Sequence, residues 1–317
     1  MRPATRFLVS AAALLLGLAP MRAADYVFSY FTGNGEDGLH LAWSADGYTW
    51  TALNGGKSLL VPKVGKEKLM RDPCVLLGPD GIFRMVWTDS WSDKTIGYAS
   101  SKDLITWSEQ TAVPVMASEP NARNCWAPEV DYDAKSGRYV IFWATTITGK
   151  FPETATPQDA AHENGYNHRI YCTTTKDFVT FTPTRLFFEP GFNVIDATML
   201  AADGRYYLIV KDETVSPVPK KNLRYASSDS LEGPFNGLSA PFSPAGVWVE
   251  GPTALKVGED YVVYYDMYRD HKFGAVRSRD LKSWEDVSAQ FHYPEGMRHG
   301  TAFAVPHAVV EKLLGKG

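Results

Sequence analysis

Three acidic residues stand where extended apolar runs begin. They are Asp72 in Arg71-Asp72-Pro73, Asp196 in Ile195-Asp196-Ala197, and Glu250 in Trp248-Val249-Glu250-Gly251-Pro252. Two further runs of the same kind open at Trp126-Ala127-Pro128-Glu129 and Arg298-His299-Gly300. If the runs lie side by side, these five openings converge. Carboxylates gathered in one place repel one another, a cost that a purely structural centre avoids and that catalysis or a bound cation offsets. Two carboxyl groups facing a shared pocket can hydrolyse a glycosidic bond: one, protonated, donates to the leaving oxygen, and the other, ionised, takes a proton from the attacking water. A third can hold the acid's pKa up by like charge. Trp248 and Val249 beside Glu250 favour its neutral form and make it the general acid, while Arg71 beside Asp72 favours the charged form and makes it the base. Asp196 is then the group that raises the acid's pKa.

The elements that carry these residues recur. One copy runs from Arg71 to Leu77, turns at Pro79-Asp80-Gly81, returns over Phe83–Thr88, and continues through Ile96–Ser101 to a short fourth strand ending at Trp107. Similar copies start near Ala127, Asp196 and Glu250. A first copy, with Val27–Phe31 and Leu39–Ser44, lacks its opening strand, and Gly300–Val305 at the far end of the chain supplies it. The expected fold is all-β, a five-bladed β-propeller whose ring is closed by the C-terminal strand completing the first blade. In four copies an aromatic follows a Ser or Thr by six residues: Ser44 to Trp50, Ser101 to Trp107, Thr175 to Phe181, and Ser278 to Trp284. The fourth copy stretches this to Ser228 and Phe235. A spacing so constant reads as packing between blades. Trp87, Trp91 and Trp143, near second-strand ends, are likewise read as packed between sheets, and Lys211 as a partner of Asp212.

Asp-Pro on the first inner strand, Trp-Ala-Pro-Glu-Val on the second, a lone Asp on the third, Glu-Gly-Pro on the fourth and a His on the closing strand together resemble glycoside hydrolase family 43. The resemblance spans about residues 25–306. It implies a five-bladed propeller acting with inversion, with Asp72 as general base, Asp196 as pKa modulator and orienter, and Glu250 as general acid. It further implies that His299 is the axial histidine that, with waters, holds a calcium ion, and that Trp126 forms a wall beside the sugar. Arg71, Arg298, Asn124 and His168 are expected near the same face as substrate contacts. No organic cofactor is expected.

Composition agrees with that class. The chain has 317 residues, 13% aromatics, and a formal net charge of -4 that becomes more negative once a leader carrying Arg2, Arg6 and Arg22 is removed. Such a charge argues against nucleic acid and suits a neutral carbohydrate partner. Residues 1–23, with an apolar stretch from Phe7 to Leu18 and small residues near Ala19 and Ala23, read as a secretory signal too short to remain in a membrane, so a periplasmic or extracellular location is expected. Residues 24–317 form one catalytic domain. Cys74, Cys125 and Cys172 are odd in number and are expected as buried free thiols. Phosphate loops, zinc motifs and a serine nucleophile elbow are lacking, which removes the usual rivals. The loops Asn54–Leu69 and Thr146–Asn167 are expected to narrow the substrate groove to a pocket. That favours an exo-acting enzyme releasing a terminal arabinofuranosyl or xylosyl group over an endo-arabinanase, with a galactofuranosidase the alternative on the same scaffold. Carboxylates opposed around a water argue against a non-catalytic carbohydrate-binding propeller, and the few basic groups near the face, Arg71, Arg298 and Arg224, argue against a phosphorylase.

Overall fold

The computed structural model describes residues 25–155 and 165–315. The leader proposed at 1–23 lies outside the described residues, as do 156–164 of the long insertion. Alternating and fully apolar runs rich in Val, Ile, Tyr, Phe and Trp become strands, and Gly- and Asp-containing turns join them. The first blade holds β1 (Asp25–Tyr30), β2 (His40–Ser44) and β3 (Thr51–Ala52). The second holds β4 (Arg71–Leu77), β5 (Phe83–Thr88), β6 (Ile96–Ser101) and β7 (Thr111–Val113). The third holds β8 (Trp126–Asp133), β9 (Arg138–Thr145), β10 (Arg169–Thr175) and β11 (Arg185–Phe188). The fourth has β12 (Val194–Ala202), β13 (Arg205–Asp212) and β14 (Asn222–Ser228), and the fifth β15 (Glu250–Val257), β16 (Asp260–Met267), β17 (Lys272–Ser278) and β18 (Glu285–Asp286). The strand β19 (Gly300–Val305) pairs antiparallel with β1, from Asp25 opposite Val305 to Tyr30 opposite Gly300, and so completes the first blade.

Five apolar clusters fill the spaces between consecutive blades. One joins Val86 and Ile96 of the second blade to Ile141 and Trp143 of the third, and another joins Phe28 and Trp50 of the first to Val262 and Tyr264 of the fifth. Trp50 meets Tyr264 edge-on at 5.8 Å, and Trp284 stacks on Phe242 at 4.5 Å, so the regularly spaced aromatics do pack between blades. The inner strands follow one another around the axis as β4, β8, β12, β15 and β19. Cys74, Cys125 and Cys172 are buried and free. A helix α1 (His307–Leu313) tucks Val310 against the first and second blades, and His307 Nδ1 lies 2.6 Å from Asp25 Oδ2. Among the described residues no helix is long and apolar enough to cross a membrane.

The repeated Ser/Thr-to-aromatic spacing has a local cause. In Ser101-Lys102-Asp103-Leu104, Ser101 Oγ accepts from Leu104 N at 2.9 Å, and Asp103 Oδ1 accepts from Ile105 N and Thr106 N at 2.9 and 2.7 Å. The turns at Ser44-Asp46, Thr175-Asp177 and Ser278-Asp280 repeat these bonds. The fourth turn residue is left-handed each time, at Gly47, Leu104, Phe178 and Leu281. The turn returns the chain so that Trp107 bridges Ser101 and Phe181 bridges Thr175. The short fourth strand expected to end at Trp107 therefore lies further on, at Thr111–Val113, because the turn itself occupies the residues up to the aromatic. In the fourth blade Ser230 stands where the other turns have Asp. That blade has three strands, with only an isolated bridge between Ser227 and Asn236 where the fourth would be.

Candidate active site

At the opposite end of each of four inner strands the ladder takes one extra residue. Arg71 pairs with Thr88 and Cys74 with Val86; Trp126 with Ala144 and Glu129 with Phe142; Ile195 with Lys211 and Thr198 with Ile209; Glu250 with Asp266 and Thr253 with Tyr264. Each inner strand thus advances three residues while its partner advances two, which is a β-bulge. The bulged residues are Asp72, Ala127, Asp196 and Gly251, all left-handed, with φ of 52°, 46°, 50° and 56°. Pro73, Pro128 and Pro252 follow three of them, where the ladder asks for no N–H. A Cβ on Gly251 would lie 2.3 Å from the His299 ring, so this bulge needs glycine for space as well as for its φ.

The bulges correct one expectation. Asp72 and Asp196 occupy equivalent positions, but Glu250 sits one residue earlier, at the position of Arg71, Trp126 and Ile195. A shift of one residue in a strand reverses the side of the sheet a residue faces, but the bulge re-aims the chain and all three acids line one cavity of about 390 Å³. Arg71, Thr88, Trp91, Trp126, Lys211, Glu213, Tyr268, Arg298 and His299 line it too.

Asp72 is held by the imidazole of His299, with Oδ1 3.2 Å from Nδ1, and accepts from Thr88 Oγ at 2.7 Å. Burial pushes the Asp72 carboxyl up, but His299 and Arg71 outweigh it and hold the pKa at about 2, so the group is charged. His299 answers: burial opposes its charge, yet Asp72, Asp196 and Glu129 raise its pKa to about 9. Asp196 Oδ2 accepts from Gly251 N at 2.9 Å, the amide immediately after Glu250. Burial lifts Asp196 to about 6, the charges of Glu250 and Asp72 adding to burial and those of His299 and Lys211 opposing it.

Glu250 departs from the expected electrostatics. Burial raises its pKa, but Lys211 Nζ lies 3.2 Å from Oε2 and Arg298 Nη2 lies 3.2 Å from Oε1, and together these cations bring it below the ordinary value. The flanking Trp248 and Val249 do not decide its charge. Lys211 pairs with Glu250 and Glu213, not with Asp212, which faces the other way toward Arg224. Alternation along a strand puts Lys211 and Glu213 on one face and Asp212 on the other. That signal was present in Lys211-Asp212-Glu213 and would have found both pocket residues.

One wall of the cavity is a ladder of rings and cations. The Arg71 guanidinium lies over Phe31 and Trp91 at 4.6 and 4.2 Å, and Trp91 meets Trp126 edge-on at 5.5 Å. Trp126 is backed by Tyr166 at 4.6 Å and His168 at 4.8 Å. Trp91, expected between sheets, lines the cavity instead, because it lies beyond the end of β5, whereas Trp87 and Trp143 are fully buried as expected. His168 is buried behind Trp126 and held by Asn193, with burial pushing its imidazole down to about 3; it supports the wall without lining the cavity. Asn124 is also buried away from the cavity, tying the start of β8 to the end of β9 through Ala144 O and Thr146 N. Among the described residues, neither Asn54–Leu69 nor Thr146–Asn167 lines the cavity. The first packs along the second blade, where Leu69 N donates to Asp89 O and Lys63 N to Gln110, and the second contributes Tyr166 behind Trp126. Gly33, Asn34, Trp91 and Tyr268, from other loops, line the cavity instead.

The surroundings of His299 disfavour a calcium ion: Nδ1 is committed to Asp72, and the carboxylates of Asp72, Asp196 and Glu129 favour the charged imidazole, which must lose its proton before Nε2 can bind a metal. Among the described residues no three His, Cys, Asp or Glu groups converge to hold a metal.

A family model of glycosyl hydrolase family 43-related proteins, described as a probable glycosyl hydrolase domain, matches residues 22–311. The chain belongs to this family. An α-L-arabinofuranosidase of Bifidobacterium longum subsp. longum is 24% identical to this family 43-related chain over 306 residues, covering 82% of it but 28% of the relative, so the chain spans little more than a quarter of that protein's length. The crystal structure of an α-L-arabinofuranosidase from Lactobacillus brevis superposes with a TM-score of 0.54 at 18% identity, over 69% of this chain and 72% of that one. An exo-β-1,3-galactanase from Phanerochaete chrysosporium, solved with β-1,3-galactotriose, gives 0.52 at 14% identity over 77% and 53%. At these identities the likeness is one of fold.

Proposed function

We propose that the protein is an exo-acting, inverting glycoside hydrolase that releases a terminal pentose, α-L-arabinofuranosyl or β-D-xylosyl, from plant-type polysaccharide or oligosaccharide. The observation that carries this reading is that Asp72 and Glu250 reach one cavity from inner strands that are not neighbours: β19 lies between them on one side, and β8 and β12 on the other. Carboxyls so placed suit the roughly 6.5–9.5 Å separation that admits a water beside the sugar better than the roughly 5–5.5 Å of a retaining pair. Asp72, ionised and fixed by His299 and Thr88, takes a proton from that water as it attacks the anomeric carbon. Glu250 gives its proton to the departing oxygen. Its two cations favour the ionised form, so the proton must be retained with help from burial by the bound sugar and from the like charge of Asp196, which lies against the next amide. Trp91 and Trp126 offer apolar faces for a sugar ring, and a cavity near the small end of ligand sites supports removal of one residue at a time. The relatives named for arabinofuranosidase activity favour arabinose. The basic, then apolar, N-terminal segment supports export.

Proton NMR of the first anomer released tests the mechanism: a product of inverted configuration is expected, and retention would overturn the roles of Asp72 and Glu250. A panel of p-nitrophenyl glycosides and the first products from linear arabinan test the substrate. Oligosaccharides without monosaccharide would favour an endo-arabinanase, and preference for galactofuranoside a galactofuranosidase.

A further inference from the structure

Glu250 is the midpoint of an alternating chain of charges. On one side Arg298 lies 3.2 Å from Glu250, and its Nε is closer still, 2.6 Å, to Asp266 Oδ2. On the other, Lys211 Nζ lies 3.2 Å from Glu250 but 2.7 Å from Glu213 Oε2, and Glu213 Oε1 bonds to Lys221 Nζ. Lys211 and Lys221 are each 1% exposed and Glu213 is 6% exposed. A buried ammonium persists only where carboxylates surround it. Lys211 also lies over the Tyr268 ring at 4.7 Å, which limits where its ammonium can go. Each cation beside Glu250 is thus drawn toward an outer carboxylate. Asp266 reaches Arg298 from β16, and Glu213, two residues beyond Lys211, does the same from the cavity wall.

We propose that Glu213 is a positioning residue for the general acid: by holding Lys211 Nζ it sets how strongly that ammonium draws the proton from Glu250. This rests on Glu250 being the acid. The other groups facing Glu250 are Asp196 from β12, Asp266 and Tyr268 from β16 and the residues after it, Arg298 and His299 before β19, and Asp72 across the cavity. Removing Glu213 leaves all of these in place. The lowered pKa of Glu250, with Lys211 the largest influence after burial, agrees with the geometry.

The signs of the effects follow from charge. Without Lys211 the ionised form of Glu250 loses its support, so the acid keeps its proton to higher pH. Without the Glu213 charge Lys211 acts on Glu250 unopposed, and the acid loses its proton at lower pH.

The test is kcat/KM against pH on an unactivated oligosaccharide, for Lys211→Met, Glu213→Gln and the double variant. It is paired with 13C NMR titration of the glutamate carboxyls, the Glu250 signal being identified by its loss in Glu250→Gln. Lys211→Met is expected to move the high-pH limb up by about one pH unit, and Glu213→Gln to move it down by roughly half a unit. In the Lys211→Met background Glu213→Gln should no longer lower it. Glu213→Gln is nearly isosteric, and its thermal transition reports whether the fold is kept if Lys211→Met does not fold. A limb unmoved or raised by Glu213→Gln, or lowered equally with and without Lys211, overturns the proposal. If Glu250→Gln instead shows no greater loss on poor leaving groups than on good ones, the reading of Glu250 as the acid fails, and the NMR titration still reports the electrostatic coupling by itself.

Discussion

Four of the five blades carry a repeated turn at one end and four carry a repeated bulge at the other, and the two devices are kept in opposite ways. At the turn end the side chains are kept: Asp46, Asp103, Asp177 and Asp280 each accept two backbone N–H groups, and their pKa values are lowered mainly by those bonds working against burial. At the cavity end only the backbone is kept. The left-handed bulge recurs four times while its residue changes from Asp72 to Ala127, Asp196 and Gly251. A carboxylate that satisfies backbone donors is committed to the fold. One placed on a bulge that closes without it is open to chemistry. Left-handed Asp and Ala cost on the order of 1 kcal/mol each, and the turns carry the same cost at Leu104, Phe178 and Leu281, so both ends hold strained backbone and only the cavity end leaves its side chains free to differ.

The comparison is tested most sharply by Asp72→Asn and Glu250→Gln. Each should cut kcat by roughly 10²- to 10⁴-fold, with only a modest fall in Tm from the cation left short of a partner, His299 or Lys211, Glu250→Gln being partly spared on p-nitrophenyl leaving groups. A large loss of stability would mean that these acids belong with the structural set. Next in size is Glu129, one layer below the bulges, which accepts from Thr198 and Thr301. Burial raises its pKa to about 7, against His299 and the two hydroxyls. A raised folded pKa gives stability that is complete below the unfolded value near ~4.3 and is lost as pH rises through about 7. Glu129→Gln should therefore gain on the wild type between pH 5 and 8, by on the order of 2 kcal/mol in denaturant titrations. A gap that does not change with pH would contradict this.

Asp103 has the opposite sign. Burial raises its pKa but the amides of Thr106 and Ile105 lower it further. Its stabilisation is complete above the unfolded value near ~3.9 and vanishes as pH falls through the lower folded one. Asp103→Ala should cost about 1–2 kcal/mol at neutral pH, read as a fall of a few degrees in Tm, with kcat unchanged. A change in kcat would break the division between the two ends. The smallest expected effect is none: dialysis against a chelator should leave activity as it was. Calcium found at one per chain, with activity lost on its removal and restored on its return, would give His299 back the role of metal ligand.

The blades, the closure and the three acids were legible in the sequence because they rest on local periodicity and on motifs set at strand starts. The offset of Glu250 was not, since a bulge inserts one residue without disturbing the apolar pattern. Of its cations, Arg298 was legible as a group able to pair with one of the acids, and it does so with Glu250. Alternation along β13 marks Lys211 as facing the cavity, but no local pattern reports which acid it meets across a blade boundary. Asn124 and His168 were expected near the cavity face from their places before β8 and at the end of the long loop, yet one closes a loop and the other backs a ring. Trp91 was misplaced because its strand stops three residues before it.

The pairing of β1 with β19 bears on how the protein is made. Ser29 meets Thr301 in this ladder, nearly the whole chain apart. During synthesis β1 and β2 emerge first and have an open hydrogen-bonding edge until the last strand arrives. Four blades can be assembled by then, but the ring cannot shut, and the interval is set by the time needed to translate everything between. β1 pairs early with β2, but its other edge is the last in the propeller to be filled, so a cell must keep that edge from other partners for longer than any other edge of the ring.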